Sequence, residues 1–478
     1  MVQGKRGARK RAITKAPGAG ASVPEPNSPT AGATPTKTFF VDMITKDIRL
    51  DDCILDLVDN SIDAARRTAA KKKGKKPYRG YWAEITFDKS QFTIADNCGG
   101  MTRIAAENYA FHFGRPAAAS QLAVDHGIGL YGIGMKRAFL KMGREVDVRS
   151  STTSEAFHVP INVDKWREND TDKWDFELKP IDATSPGMTI AIKKLYDGIS
   201  DELDRVTFPG ELLQRIAMTY GHFLDKGFVV KVNGTAAKPI EFTLREGAHV
   251  KPARVKYKDE ELPGVTVEII AGMRAFPGVQ ETDESSASAE RTAATLNGWF
   301  VACNDRVVVA ADKSSKTGWG TGRGKTKIGV WHPQYNGFFG LVRLSSANPK
   351  ELPWATTKRE LDYESPLWRR ALAKMIPITR SLTAYSNTRK THTNEALPLE
   401  KGKSVRADVV RLRPEPVLPN LSTVRKSGRK KSVSVNIGYE VSRRRADRLG
   451  RELETENGDY DLIGKEAFDY AYRVLVGE

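Results

Sequence analysis

Asp56, Asn60 and Asp63 recur at spacings of four and three within residues 54–65 (ILDLVDNSIDAA). On a helix over 52–67, at roughly 100° per residue, these three side chains fall within about 60° of one another. Ile54, Val58, Ile62 and Ala65 take the opposite side. Short oxygen-bearing side chains on one face suit a hard cation such as Mg²⁺, which takes oxygen ligands and keeps several waters. Taken alone, the pattern also describes an amphipathic surface helix with a solvated acidic face. Asp59, on the same turn, points about 60° away from Asp56 and nearer the buried edge. Further along, Gly127, Gly129, Gly132 and Gly134 precede a helical pattern over 135–142, with Lys136 in its first turn. Glycines ahead of a helix free backbone N–H groups to cradle phosphate, helped by the helix dipole. The spacing is neither a Walker A sequence nor a dinucleotide fingerprint. Asp96 follows a β-like run at 91–95 and opens the turn DNCGG, an ordinary turn signal when isolated. Thr189 sits inside a strand-like MTIAI.

Four stretches in order, ILDLVDNSIDAA, IADNCGGMT (94–102), DHGIGLYGIGMKRAF (125–139) and SPGMTIAI (185–192), resemble the nucleotide pocket of the GHKL ATPases. That group holds gyrase B, MutL, the MORC proteins, histidine kinases and the ninety-kilodalton heat-shock chaperones. The resemblance implies an α/β fold, a Bergerat-type ATPase sandwich with helices covering one face of a mixed sheet, binding ATP and Mg²⁺. Asp56 stands where the family has the Glu that orients or deprotonates the attacking water. Being one methylene shorter, it must act from closer in or through a second water, a shift to which proton transfer is sensitive. Asn60 takes the place of the Mg²⁺ ligand. Asp96 takes that of the carboxylate accepting the adenine amino group, which would give base selectivity. In the family's Asp-x-Gly-x-Gly, Cys98 replaces the first Gly and Gly100 keeps the second. The resemblance further implies nucleotide contacts from Asp63, Ala64, Met101, Gly129, Tyr131, Gly132, Ile133, Gly134 and Lys136. Thr189 would close the pocket floor, and 113–128 would form a mobile lid.

Residues 297–320, 331–344 and 352–365 (LPWATTKRELDYES) resemble the transducer domain of these proteins, closest to the MORC branch. There a Lys reaches back to the γ-phosphate. Lys358 is the matching position and the second catalytic candidate beside Asp56; Lys313 is an alternative. A phosphate contact made only with ATP bound senses hydrolysis, because loss of the γ-phosphate removes a charge-assisted bond between domains.

A chain of 478 residues, 40% hydrophobic, has room for two or three domains with ordinary cores. Cys53, Cys98 and Cys303 lack any paired or metal-ligand spacing, which argues for a reducing compartment. No apolar run of about 18 residues suggests a membrane helix, and residues 1–37 lack the apolar core of a secretory signal. The net charge of +17 is uneven: residues 1–37 carry +6 and 401–431 carry +8. Mobile basic segments bind phosphate backbones without reading sequence. The expected order is a disordered basic tail (1–37), the ATP-binding domain (38–200), a transducer-like domain (201–385), a basic linker (386–431) and a small ribbon-helix-helix-like strand-helix-helix module (432–478). In that module Ser434 and Asn436 would face bases. Lys430, Lys431, Arg443 and Arg444 would lie near phosphate.

These readings converge on an ATP-gated homodimer of the cytoplasm, with nucleoid association as an option, acting nonspecifically on DNA. Two alternatives stay open, an ATP-gated chaperone-like clamp and a nucleotide-sensing switch with little turnover. A histidine-kinase-like phosphotransferase is disfavoured, since no phosphoacceptor His helix precedes the ATP domain.

Overall fold

The structure, a computed structural model, describes residues 35–70, 72, 74–114, 126–129, 132–169, 174–274, 296–324, 327–355, 358–421, 438, 440–453, 455 and 459–476. Two compact units divide the chain at Leu421. In the first, helices α1 (Lys37–Lys46) and α2 (Leu50–Ala69) precede an eight-stranded mixed sheet. Its strands are β1 (Trp82–Phe87), β2 (Gln91–Asp96), β3 (Gly143–Ser151), β4 (Ala156–Asn162), β5 (Lys179–Pro180), β6 (Gly187–Leu195), β7 (Val229–Val232) and β8 (Thr235–Ala236). They lie in the order β5-β4-β3-β6-β2-β1-β7-β8. All neighbours are antiparallel except β1 and β7. Helix α3 (Gly134–Met142) packs on α2. This is the expected α/β sandwich with a mixed sheet.

The boundary expected at residue 200 cuts through this sheet. Strand β7 pairs in parallel with β1, and a parallel neighbour needs a crossover, which contains helix α4 (Phe208–Asp225). That helix packs on β7 and also on β13 (Arg306–Asp312) of a second sheet.

The second sheet has five strands in the order β10-β11-β14-β12-β13. They are β10 (Ala253–Lys258), β11 (Thr266–Met273), β12 (Gly298–Cys303), β13 (Arg306–Asp312) and β14 (Phe338–Ser345). Its central strands read as near-continuous apolar runs because they are buried on both faces: every residue of β12 is buried. Helix α5 (Pro366–Arg389) packs on β11.

The described part of the expected linker is not a linker. Helix α6 (Thr393–Leu399) follows α5, and β15 (Lys403–Arg406) pairs antiparallel with β9 (Thr243–Glu246). Buried Glu400 accepts Tyr385 Oη at 2.7 Å and Arg389 Nε at 2.6 Å. A buried carboxylate needs such partners, so this turn is fixed, and its basic residues mislead because their anionic partners are remote in sequence. Arg406, for example, pairs with Asp225 at 2.8 Å.

The second unit shows α7 (Arg443–Glu452) and α8 (Tyr460–Val476), near the helices expected there. They approach closely at Gly450, where an added Cβ would lie 2.6 Å from Ile463. The module's expected strand falls almost wholly outside the described residues, as do Lys430, Lys431, Ser434 and Asn436. Among the described residues no helix is long and apolar enough to cross a membrane. All three cysteines are buried free thiols.

Candidate active site

Helix α2 starts with Asp51 and Asp52 in its first turn and ends with Arg66 and Arg67 in its last, the arrangement the helix dipole favours. Ile54, Val58, Ile62 and Ala65 are essentially inaccessible. The opposite side is buried too. Asp52, Asp56, Asp59 and Asp63 form an acidic ladder, with Asp59 fully enclosed. Unpaired carboxylates at such depth would be costly, and each has partners from a different part of the chain.

Asp52 is held by Arg215 of α4 and by Arg359. Asp56 meets Arg137 of α3 at 2.5 Å, and Lys358 Nζ lies 3.6 Å from its Oδ1. Asp59 accepts Lys358 Nζ at 2.8 Å, Arg306 Nε at 2.9 Å and Tyr220 Oη at 2.6 Å. Asp63 accepts the backbone N–H of Ile128 at 2.9 Å and of Gly129 at 2.7 Å.

Burial alone would raise the Asp59 pKa, but Arg306 and Lys358, with hydrogen bonds from Lys358 and Tyr220, hold it below the usual carboxylate range. Burial dominates at Asp63 and raises it despite the backbone donors.

The expected residues therefore divide. Asp63 is engaged in shaping the glycine loop. Lys136 is buried and donates to the carbonyls of Ala110, at 2.6 Å, and Gly132, so it ties the segment before the expected lid to the glycine loop. Gly134 begins α3 directly against the Asp56 side chain. Gly129, Gly132 and Ile133 lie in this loop, while Tyr131 falls outside the described residues. Ala64 is half-buried on α2 and packs against the core. Asn60 is half-exposed and makes no side-chain hydrogen bond among the described residues. Its amide oxygen is a fitting Mg²⁺ ligand, but no group of three or more His, Cys, Asp or Glu among the described residues could hold a metal unaided. The donor set therefore fits an ion that arrives with phosphate oxygens and waters.

Asp96 closes β2. Its Oδ2 accepts Ser61 Oγ at 2.7 Å and its Oδ1 accepts the Cys98 N–H at 2.9 Å. Burial pushes the carboxyl above its ordinary range, partly offset by these hydrogen bonds. The following turn is fixed by Gly100 at φ +68°, where a Cβ would lie 2.0 Å from the Ser151 carbonyl. Met101 is clamped there: its N–H donates to Ser150 Oγ at 2.7 Å. Thr189 on β6 pairs with Ala95, one residue before Asp96. An acceptor carboxylate set beside a half-open turn can take the exocyclic amine of a base.

Sequence reasoning missed Ser61, Ser150, Arg137, Tyr220 and Arg306. For Arg306 a signal existed: an arginine opening a buried strand directly after Asn304-Asp305. Both turn residues have positive φ, +46° and +70°, the two-residue hairpin that matches strand twist. The tip docks on the glycine loop. Asn304 Nδ2 donates to the Gly127 carbonyl at 3.1 Å, and Arg66 Nη2 donates to the Asn304 carbonyl at 2.8 Å. Lys313 sits over the Trp331 ring instead, 5.0 Å from its centre.

Residues 48–189 match the model of the family described as histidine kinase-, DNA gyrase B-, and HSP90-like ATPases. No curated protein matches the chain. The matched segment is similar to the ATP-binding domain of that family. It contains Asp56, Asn60, Asp63, Asp96 and the glycine loop but neither Arg306 nor Lys358.

Proposed function

We propose that this chain is a Mg²⁺-dependent ATPase in which ATP joins the first sheet to the second, a switch of the MORC kind that dimerises and acts on DNA. The observation that carries the reading is Lys358. It lies 299 residues from Asp59 in sequence, outside the family-matched segment, yet its ammonium is 2.8 Å from that carboxylate and 3.6 Å from Asp56. A cation from the loop that follows the second sheet thus waits beside the expected hydrolytic carboxylate.

Asp96 receives the base and Ser61 holds the carboxylate in place. The glycine loop offers its N–H groups to phosphate, and Asn60 supplies the protein ligand to Mg²⁺, which when bound neutralises phosphate charge. Asp56 orients or deprotonates water once Arg137 is displaced from it, and Lys358 takes the γ-phosphate. Hydrolysis removes that anion and with it a bond between the domains. The Arg137 pair favours a second reading, because a base neutralised at 2.5 Å and one methylene short would turn over slowly. The protein is then a nucleotide-sensing switch.

DNA contact is supported by the charge of the flanks and by exposed Arg443 and Arg444 on α7. Steady-state hydrolysis with and without duplex DNA, for wild type, Asp56→Asn, Asp96→Asn and Lys358→Ala, tests the reading. Turnover that DNA alters and Asp56→Asn abolishes supports it; binding without turnover selects the switch. DNA retention that ignores salt, or survives deletion of 1–37 and 422–478, refutes the role of the basic segments.

A further inference from the structure

Asp59, the buried partner of Lys358, has no part in the nucleotide reading. Its carboxylate takes donors from three elements: Tyr220 on α4, Arg306 on β13 and Lys358 in the loop before α5. Arg306 acts twice. While its Nε holds Asp59, its Nη1 donates to the Lys358 carbonyl at 2.9 Å. The backbone at Lys358 is therefore tied to α2 wherever the ammonium points. That backbone is in the left-handed region, φ +53°, a conformation a lysine keeps only when its surroundings impose it. The side chain has two carboxylates within reach and is committed to the nearer one, Asp59.

We infer that Asp59 is the resting-state ligand of Lys358, a positioning residue that competes with the γ-phosphate for the lysine ammonium. The inference rests on the ATPase reading above. Binding of ATP exchanges one anion for another on Lys358. Arg306 stays on Asp59 during the exchange, so no buried carboxylate is stranded without a cation. ADP has no γ-phosphate and leaves Lys358 where it is. The strength of the Asp59 contact therefore sets how strongly the site prefers ATP over ADP, without touching either nucleotide.

The test is a double-mutant cycle on the full chain, reading dissociation constants for ADP and for a non-hydrolysable ATP analogue with Mg²⁺. Asp59→Asn keeps the shape and removes the competing charge. It is expected to raise the preference for the triphosphate roughly tenfold, the size of one charge-assisted hydrogen bond. Lys358→Ala should lower that preference, and the double variant should match Lys358→Ala, since competition needs the lysine. Tyr220→Phe moves the other way: it takes a donor from Asp59 but leaves the charge, so the carboxylate holds Lys358 harder and the preference falls. Equal change for both nucleotides in Asp59→Asn, or an effect that persists without Lys358, overturns the inference and makes Asp59 purely structural. If Asp59→Asn does not fold, Tyr220→Phe decides, and an unchanged preference overturns the inference. Failure of the wild type to bind either nucleotide refutes the ATPase reading itself, a different result from binding that ignores Asp59.

Discussion

The two ends of the site along α2 are built from different materials. At the Asp96 end the partners are a hydroxyl, backbone N–H groups and neighbouring strands, all from the eight-stranded sheet and the helix upon it. At the Asp56–Asp59 end the partners are cations from α3, β13 and the loop before α5. The first end is complete within one domain. The second has one pair, Asp56 with Arg137, internal to the first sheet's layers, and gains Arg306 and Lys358 only with the second sheet docked. On the proposed function a base would meet a preformed surface, whereas a terminal phosphate would enter a set of ion pairs that spans both sheets, which is where a conformational switch has to sit.

Asp56→Asn and Asp96→Asn separate the ends most sharply. Asp56→Asn is expected to lower hydrolysis by about 10²–10⁴-fold, the usual worth of a positioned acid or base, with ADP affinity unchanged. Asp96→Asn should weaken ATP and ADP alike, by about 1–3 kcal/mol. Single-turnover hydrolysis beside equilibrium binding checks both, and loss of ADP binding in Asp56→Asn would erase the distinction between the ends.

Arg306→Ala probes the docked interface. It removes the more buried of two cations from a fully enclosed carboxylate. Breaking a buried pair costs about 3–5 kcal/mol, and because Lys358 remains on Asp59 the lower end, about 3 kcal/mol, is expected in denaturant unfolding. An unchanged midpoint would mean that the second sheet docks without this pair.

How much of this could be read beforehand followed the distance over which contacts act. The α2 helix was legible because apolar and polar positions repeat locally at helical spacing, and the sandwich fold followed from four motifs in order. The hairpin that carries Arg306 has a local signal, but its pairing has none, since Arg306 is one of 76 Lys and Arg residues and its partner lies 247 positions away. The same blindness makes 386–431 read as a linker, although Arg389 and Glu400 within it close a buried cluster with Tyr385. Helical spacing sets Asp59 toward the apolar edge, but nothing local shows that Lys358 would choose it over Asp56.

Acidity probes the Asp96 end when read against Asp96→Asn, because burial raises Asp63 as well. Its folded pKa is raised by burial, so protonation favours the folded, empty protein. The stabilising contribution is full below the ordinary carboxylate pKa and is lost as pH rises through the raised value. On the proposed function base binding needs the carboxylate and runs the other way. Affinity for both nucleotides should therefore fall on acidification, beginning above the usual carboxylate range, and Asp96→Asn should remove that dependence. Calorimetric titration across this window checks the sign; an ATP-specific loss would place the titrating group at the other end.

Ser61→Ala is the finest probe. Ser61 Oγ donates to Asp96 at 2.7 Å from the residue after Asn60, so one helix turn serves both ends. Removing the hydroxyl leaves the Cys98 N–H as the nearest donor to the carboxylate. The expected cost to binding is about 1 kcal/mol, equal for ATP and ADP, with hydrolysis of bound ATP unchanged. If the catalytic step slows as well, the α2 backbone carries strain from Asp96 to Asp56, and the two ends are mechanically joined through the helix on which both are mounted.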